Sequence, residues 1–422
     1  MIKKSIVFLV LVVLVFSVSS LVSAKDKSEL IIWNTAETLA NPLTEDYIAQ
    51  FEKENPNVDV KFFTFPWQEL RTKLLTAFAA GTAPDILQLD TPWLPEFSGA
   101  NLLEPAPDYV KKDLDENFLP IASYIVSYDG QVYGYPWWAF TNALIYNKDL
   151  FKDNGLDPDN PPKTWEELRQ AAEKIVKIED GKMTQAGFII NQRLLHFTDY
   201  LYNNGGAIIG ENDKGVPQKP VKATFNSKPV VETLTFLHDL YYKYNVGSPH
   251  FTTNMYESFQ AGEVGMLIEA QWLIPWTLGA APDLNFGIAP IPTPTGKYPE
   301  IRVDSWIMVV SKRSKPEVKE YAWKFLSEYI STSQGDMLKA ALAVPTRKEL
   351  ELTKIGELTW YEQFYSEYIK KGFPRTKPFY TKAEEIDRRV EPILEQMYLG
   401  ILSPEDTAQM ANEEIEAILA GN

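Results

Sequence analysis

The 422-residue chain has no cysteine. That excludes disulfides, thiolate metal sites and a cysteine nucleophile, and with them a lipid carried on an N-terminal cysteine. Histidine is scarce, and the three residues His196, His238 and His250 are scattered. No His-Glu-x-x-His pair, phosphate-binding glycine motif or Gly-x-Ser-x-Gly elbow is present, so catalytic chemistry has no recognisable carrier. Positive charge is also short, with 41 Lys and Arg against 57 Asp and Glu and a net charge of -16. Such a field repels nucleic acid and anionic membranes and suits a neutral or cationic solute. Past the first 24 residues, no apolar run reaches the roughly 17 to 25 residues of a bilayer-spanning helix.

What is present begins with an export pattern. Lys3 and Lys4 precede the apolar run Ile6–Phe16, and Val22-Ser23-Ala24 offers small residues before Lys25. Residues 1–24 therefore read as a signal peptide, and the mature chain is expected to be soluble and outside the cytoplasm, with no lipid anchor. The remainder, 45% hydrophobic and 23% charged, is an ordinary globular composition long enough for two or three domains. Aromatics are plentiful, with 11 Trp, 21 Tyr and 22 Phe.

The pattern after the signal alternates strands and helices. Leu30–Trp33 is a short unbroken apolar run, a strand buried on both faces. A helix opens at Asn41-Pro42, and Val58, Val60 and Phe62 alternate with Asp59 and Lys61 as a second strand. From Trp67 the spacing predicts a helix burying Leu70, Leu74, Ala77 and Phe78, stopped by Gly81. Pro84–Asp90 is a third strand. This order implies a parallel sheet with right-handed crossovers. Solutes of such sheets sit beyond the carboxyl ends of the strands. Trp33, Asn34 and Glu37 follow the first strand, and Asp90, Thr91 and Trp93 follow the third. An indole beside a carboxylate suits a polyol: the ring packs on C–H groups and the carboxylate accepts from hydroxyls. Trp33 as a core residue and Asp90 as a turn cap are the competing readings.

Between Gly130 and Asp149 the chain changes direction. Tyr133, Tyr135, Trp137, Trp138, Phe140 and Tyr146 crowd this stretch, and Pro136 keeps it extended. An aromatic strand joining two domains would line the cleft between them, although a buried central strand would read the same. A second alternating run follows. Thr164 and Glu167 form a capping box, and Gly265–Glu269 is a strand followed by Gln271 and Trp272. Glu269, Gln271 and Trp272 repeat the acid, amide and indole chemistry. Phe286–Ala289 and the prolines after it read as a second crossing, and Trp306–Val310 as a buried strand.

Several short pieces together resemble the extracellular solute-binding proteins of bacterial ABC transporters, the family that includes maltose-binding protein. They are Leu30–Trp33, Phe51–Val58, Ala80–Ile86, Tyr133–Pro136, Tyr146–Leu150, Pro162–Leu168 and Asn204–Gly206. The resemblance spans essentially the whole mature chain. It implies an α/β fold of two lobes, each a mainly parallel sheet flanked by helices, with the solute cleft between them. The expected division is 25–140 plus 289–330 for one lobe and 141–288 plus 331–422 for the other. Cleft positions of the family fall on Trp33, Asn34, Glu37, Asp90, Trp93, Trp138, Phe140, Asn142, Trp272 and Trp306. Trp272 looks like the aromatic that stacks on sugar in maltose-binding protein. Trp67, Trp137, Glu269, Gln271, Asp304 and Arg375 complete the candidate set. Phe140-Thr141-Asn142 replaces the Asp-Thr-Arg of many sugar-binding relatives, and Ala270-Gln271-Trp272 replaces a Gly-Pro-Trp.

The resulting expectation is a monomeric, non-enzymatic carrier that captures a carbohydrate by lobe closure, an oligosaccharide rather than a monosaccharide by its extra indoles, and delivers it to membrane permease subunits. No cofactor, metal or nucleic acid is expected. A secreted glycoside-processing enzyme using cleft carboxylates is the alternative, and a carrier of a cationic or peptide solute is another.

Overall fold

The structure is a computed structural model that describes residues 27–36, 41–210, 222–344, 346–350, 360–371, 373–375 and 382–421. The signal-peptide segment and Glu37 lie outside the described residues.

The first alternating run folds as its pattern dictates. Strand β1 (Ser28–Thr35) carries the Leu30–Trp33 run, with Leu30 and Ile32 fully buried but Ile31 and Trp33 only half-buried. Helix α1 (Asn41–Glu54), strand β2 (Val58–Phe65), helix α2 (Trp67–Ala80) and strand β3 (Ile86–Asp90) follow. Helix α2 buries Leu70, Leu74, Ala77 and Phe78, one face at helical spacing, and Gly81 ends it at φ 76°. Strand β1 lies between β2 and β3 and is parallel to both.

A turn at Thr91–Trp93 leads through α3 (Leu94–Gly99), α4 (Asp108–Asn117), α5 (Pro120–Ile125) and the hairpin β4 (Ser127–Tyr128) and β5 (Gln131–Val132). The aromatic stretch then becomes one 14-residue strand, β6 (Gly134–Asn147). Beyond it come α6 (Lys148–Asp153), α7 (Trp165–Ile175), β7 (Lys177–Glu179), β8 (Lys182–Ile189), α8 (Leu194–Asn203) and α9 (Lys228–Tyr242). The chain continues through α10 (Met255–Gln260), β9 (Val264–Ala270), α11 (Leu273–Ala280), β10 (Phe286–Ala289) and β11 (Glu300–Val310). It ends with α12 (Pro316–Ala341), α13 (Trp360–Lys371), β12 (Phe373–Arg375), α14 (Ala383–Tyr398) and α15 (Pro404–Ala420). The Thr164 box caps α7: its hydroxyl accepts from the Glu167 amide and the Glu167 carboxylate accepts from the Thr164 amide, both at 3.0 Å. Trp165 stacks on Phe236 at 4.2 Å, a packing role.

One mixed sheet runs β2-β1-β3-β11-β6-β9-β8-β7, with β10 also on β6 and β12 on β11. Its middle is antiparallel. From Gly134 to Thr141, β6 pairs with β11; from Asn142 to Tyr146 it pairs with β9. The strand therefore belongs to both halves of the sheet and exchanges partners between Thr141 and Asn142. The buried apolar side chains form two clusters. One holds Leu30, Phe51, Trp137 and Phe325 and extends to Leu267, while the other holds Phe188, Leu234, Val390 and Ile415 together with Met266 and Ile268. Successive residues of β9 thus feed different clusters, as the pleat requires.

Strand β10 pairs with Leu144–Asn147, and Thr293 bonds Lys163 and Trp165. Val303, opposite Thr141, is where β11 joins the first half of β6. Helix α12 also runs unbroken past residue 330, packing on β1, β6 and β11, and α13 packs on β10.

Two side chains tie the crossing. Gln271 accepts from the Thr141 amide at 3.0 Å and donates to the Ala139 carbonyl at 3.1 Å. The Asp199 carboxylate, on α8, accepts from Asn142 Nδ2 at 2.6 Å and from Arg302 Nε at 3.1 Å. Arg302 also pairs with Asp304, and all four groups are at most 3% exposed. Removing one partner of a buried ion pair strands the other charge, at about 3 to 5 kcal/mol. Asp199→Asn is expected to lower unfolding free energy by about 3 kcal/mol in denaturant titration. A loss below about 1 kcal/mol would mean that Asp304 alone satisfies Arg302.

Candidate functional site

A cavity of about 1240 Å³ lies against the crossing and takes its walls from both halves of the sheet. Trp67 and Gln68 at the start of α2, Asp90 at the end of β3, and Trp306 on β11 come from the first half. Trp138, Phe140 and Asn142 follow one another along β6. The second half supplies Arg193 and His196 at the start of α8, Tyr256 on α10, Glu269 at the end of β9, and Trp272 and Trp276 around α11. Helix α14 adds Glu384, Asp387, Arg388 and Glu391.

The aromatic walls are assembled from ring contacts. Trp138 meets Trp306 edge-on at 5.0 Å, and Trp67 stacks on Trp93 at 5.9 Å. Tyr256 meets Trp272 edge-on at 5.1 Å, and Trp272 lies 5.7 Å from Trp276. Trp276 is 49% exposed, an unusual state for an indole unless something covers it. The Arg193 guanidinium stands over Trp67 at 5.6 Å, joining the two halves across the cavity by a cation–π contact. Near it, Glu391 accepts from the Leu194 amide at 3.1 Å, capping α8.

The polar floor is dominated by Glu269, which is 2% exposed. Its Oε1 accepts from the Ala270 amide at 2.9 Å and faces His196 Nε2 at 3.2 Å. Its Oε2 accepts from the Tyr256 hydroxyl at 2.9 Å and Asn191 Nδ2 at 3.0 Å. Burial pushes this carboxyl up, but the charge and hydrogen bond of His196, with the Ala270 amide and Tyr256, outweigh it and hold the pKa at about 2. A carboxylate only accepts, so His196 carries a proton on Nε2. Burial first, and then the Glu269 charge, raise the Tyr256 phenol far above its ordinary value. At the wall, Trp138 Nε1 and His196 Nδ1 are buried without a hydrogen-bond partner, which is a penalty until a group arrives to pair with them.

Half of the sequence candidates meet at this cavity: Trp67, Asp90, Trp138, Phe140, Asn142, Glu269, Trp272 and Trp306. The others are placed elsewhere. Trp33 packs on Phe65 at 4.7 Å, and Asn34 is 1% exposed with its side chain accepting from the Thr35 amide. Trp93 lies behind Trp67, and Trp137 is buried between Trp306 and Tyr329. Gln271 and Asp304 are engaged in the crossing, because buried polar groups there need partners. Arg375 is on β12, in register with Arg302. Glu37 lies outside the described residues.

Sequence reasoning did not single out Gln68, Arg193, His196, Tyr256, Arg302 or the α14 residues. A signal existed for α14: Glu384, Asp387, Arg388 and Glu391 share one helical face, beside the buried stripe of Ile386, Val390 and Leu394. No such signal marks His196. Among the described residues no group of His, Asp and Glu could hold a metal ion, and no helix is long and apolar enough to cross a membrane.

A continuous sheet with helices on both sides and a solute-sized, aromatic-walled cavity between its halves defines a two-lobed binding protein. A family profile described as bacterial extracellular solute-binding protein matches residues 34–336. The chain belongs to that family. It is 31% identical over 325 residues to a protein of Brucella abortus (strain 2308) described as a binding protein, covering 74% of each chain. It is 25% identical over 323 residues to the maltotriose-binding protein of Pyrococcus abyssi, covering 74% of this chain and 64% of that one. In fold it matches the ABC substrate-binding protein of Listeria monocytogenes solved in complex with cycloalternan. That match has a TM-score of 0.80 at 23% identity, over 94% of this chain and all (100%) of the other.

The depressed Glu269 pKa has a sign. A carboxylate held at about 2 when folded, against 4.5 ordinarily, adds stability that is full above 4.5 and lost as pH falls towards 2. At 1.36 kcal/mol per unit the contribution is on the order of 3 kcal/mol. Unfolding free energy measured from pH 5 down to about pH 2 should therefore fall more steeply in the native protein than in Glu269→Gln. Parallel curves would contradict the assignment.

Proposed function

We propose that this chain is an extracytoplasmic carrier that captures a neutral oligosaccharide by closing its two lobes, then delivers it to the permease subunits of an ABC transporter. The observation that carries the reading is the cavity itself. At about 1240 Å³ it exceeds the roughly 300 to 1,000 Å³ usual for small-molecule pockets, and indoles stand on both walls. Flat rings pack on the C–H faces of sugars, while Asp90 and Arg388 offer the acceptors and donors that hydroxyls require. Relatives named for maltotriose and arabinooligosaccharide support the same class of solute. The family is one of carriers rather than catalysts, which favours binding without turnover.

The shared strand supports the closure part of this reading. A solute touching both walls favours the state in which they approach, and the population shifts by that difference in affinity. The flexing points are the exchange between Thr141 and Asn142 on β6, the passage from Thr293 to Val303, and the connection after α12. The carrier is proposed to work as a monomer.

Two measurements test this reading. Calorimetry with maltotriose, chito-oligosaccharides, xylo-oligosaccharides and a polyamine is expected to give saturable binding to a sugar without release of reducing ends. Binding of the polyamine alone, or hydrolysis of a bound sugar, would overturn it. Small-angle scattering should show a smaller radius of gyration with the bound sugar, and an unchanged profile at saturation would remove closure. Against the same sugar, Trp272→Ala is expected to weaken binding at least about tenfold, since a stacked ring adds about 0.5 to 1.5 kcal/mol beyond its buried area. Unaltered affinity in a folded variant would place the sugar elsewhere.

A further inference from the structure

Glu269 stands at the cavity wall with its capacity already used. A carboxylate offers about four lone-pair sites, and protein donors occupy two on each oxygen, from Ala270, His196, Tyr256 and Asn191. At 2% exposure it has neither room nor acceptor capacity for a solute hydroxyl. Its partners, by contrast, reach the aromatic wall. Tyr256 contacts Trp272 at 5.1 Å and Trp276 at 5.8 Å. It belongs to α10, a helix of only six residues whose start is held by Asn254, which accepts from the Tyr256 and Glu257 amides. A helix that short does not hold its own geometry. The Tyr256 hydroxyl is thereby anchored at one end by the helix start and at the other by Glu269.

We infer that Glu269 is a positioning residue: through Tyr256 it sets the Trp272–Trp276 wall against which the solute packs, and it does not contact the solute itself. The inference rests on the sugar-binding reading for its consequence but not for its structural content. All four partners of the carboxylate are donors, so an amide at this place sets one donor against others. Glu269→Gln consequently disturbs the wall although its shape is unchanged, and Tyr256→Phe removes the hydroxyl that donates to Glu269 at 2.9 Å and accepts from Asn191 at 3.4 Å.

The test uses the full chain labelled with 5-fluorotryptophan, without solute. Fluorine resonances of Trp272 and Trp276 are assigned with Trp272→Phe and Trp276→Phe, and Trp165, stacked on Phe236, reports the intact fold. Both Glu269→Gln and Tyr256→Phe are expected to shift and broaden the Trp272 and Trp276 resonances while Trp165 stays in place. The double variant should move them no further. In calorimetry with maltotriose each single variant should bind roughly tenfold more weakly and the double variant no worse, because the two act in series. Trp272 and Trp276 resonances unmoved in Tyr256→Phe, or a double variant weakened about a hundredfold, would overturn the inference. The second result would mean that Glu269 meets the sugar directly. Should Glu269→Gln fail to fold, Tyr256→Phe with Asn191→Ala carries the same comparison. If the native protein ignores maltotriose, that counts against the solute class alone, and the fluorine spectra still decide the positioning role.

Discussion

A strand in the middle of a sheet must satisfy its backbone groups on both edges along its whole length. That demand shapes this protein where two halves share β6. The strand cannot end between them without leaving buried donors and acceptors, so it runs through and trades β11 for β9. Beside the trade the Gln271 amide bonds Ala139 and Thr141 as a neighbouring strand would, and the Val344 amide adds a second bond to the Ala139 carbonyl. The cavity residues Trp138, Phe140 and Asn142 are mounted on this stretch. The site is thus attached to the part of the chain that both halves hold in common.

Charge is used inside the molecule in a way its composition hides. The net charge of -16 describes the surface, but two compact arrangements of buried charge stand beside the cavity. In one, Asp199 and Asp304 flank Arg302; in the other, Glu269 faces His196. Buried ion pairs contribute little net stability against apolar replacements, since desolvation offsets their attraction. Their geometry is nevertheless demanding. Asp199 fixes Asn142 and Arg302 on two different strands, so that both point to a common carboxylate.

The regular elements were legible because local rules sufficed. The spacing of Leu70, Leu74, Ala77 and Phe78 with Gly81 behind them describes α2, and the Thr164–Glu167 box locates the start of α7. Asp180-Gly181, with φ of 51° and 76°, is a dipeptide that marks a turn, but β7 before it has no buried residue to give it a strand pattern. At the site, strand ends point to Asp90, Glu269 and Trp272, which the fold brings to one cavity. The same reasoning could not tell Trp67, at the cavity, from Trp93 behind it, since both follow strands of the first half. Nor could it separate Glu269 from Gln271, two residues apart. Their different environments arise from α10 and β6, which reach them only in three dimensions. Arg193 and His196 were illegible for that reason too.

The Gln271 amide gives the crossing a dynamic property distinct from that of the strands around it. The Thr141 N–H is covered by a side chain that can rotate away, whereas neighbouring amides of β6 are covered by backbone that leaves only when strands separate. In deuterated water Thr141 would exchange through rotamer excursions of one glutamine, at a free energy well below that of global opening. Its amide is therefore a native isotope clock for the junction, running on local fluctuation while the flanking strand remains closed.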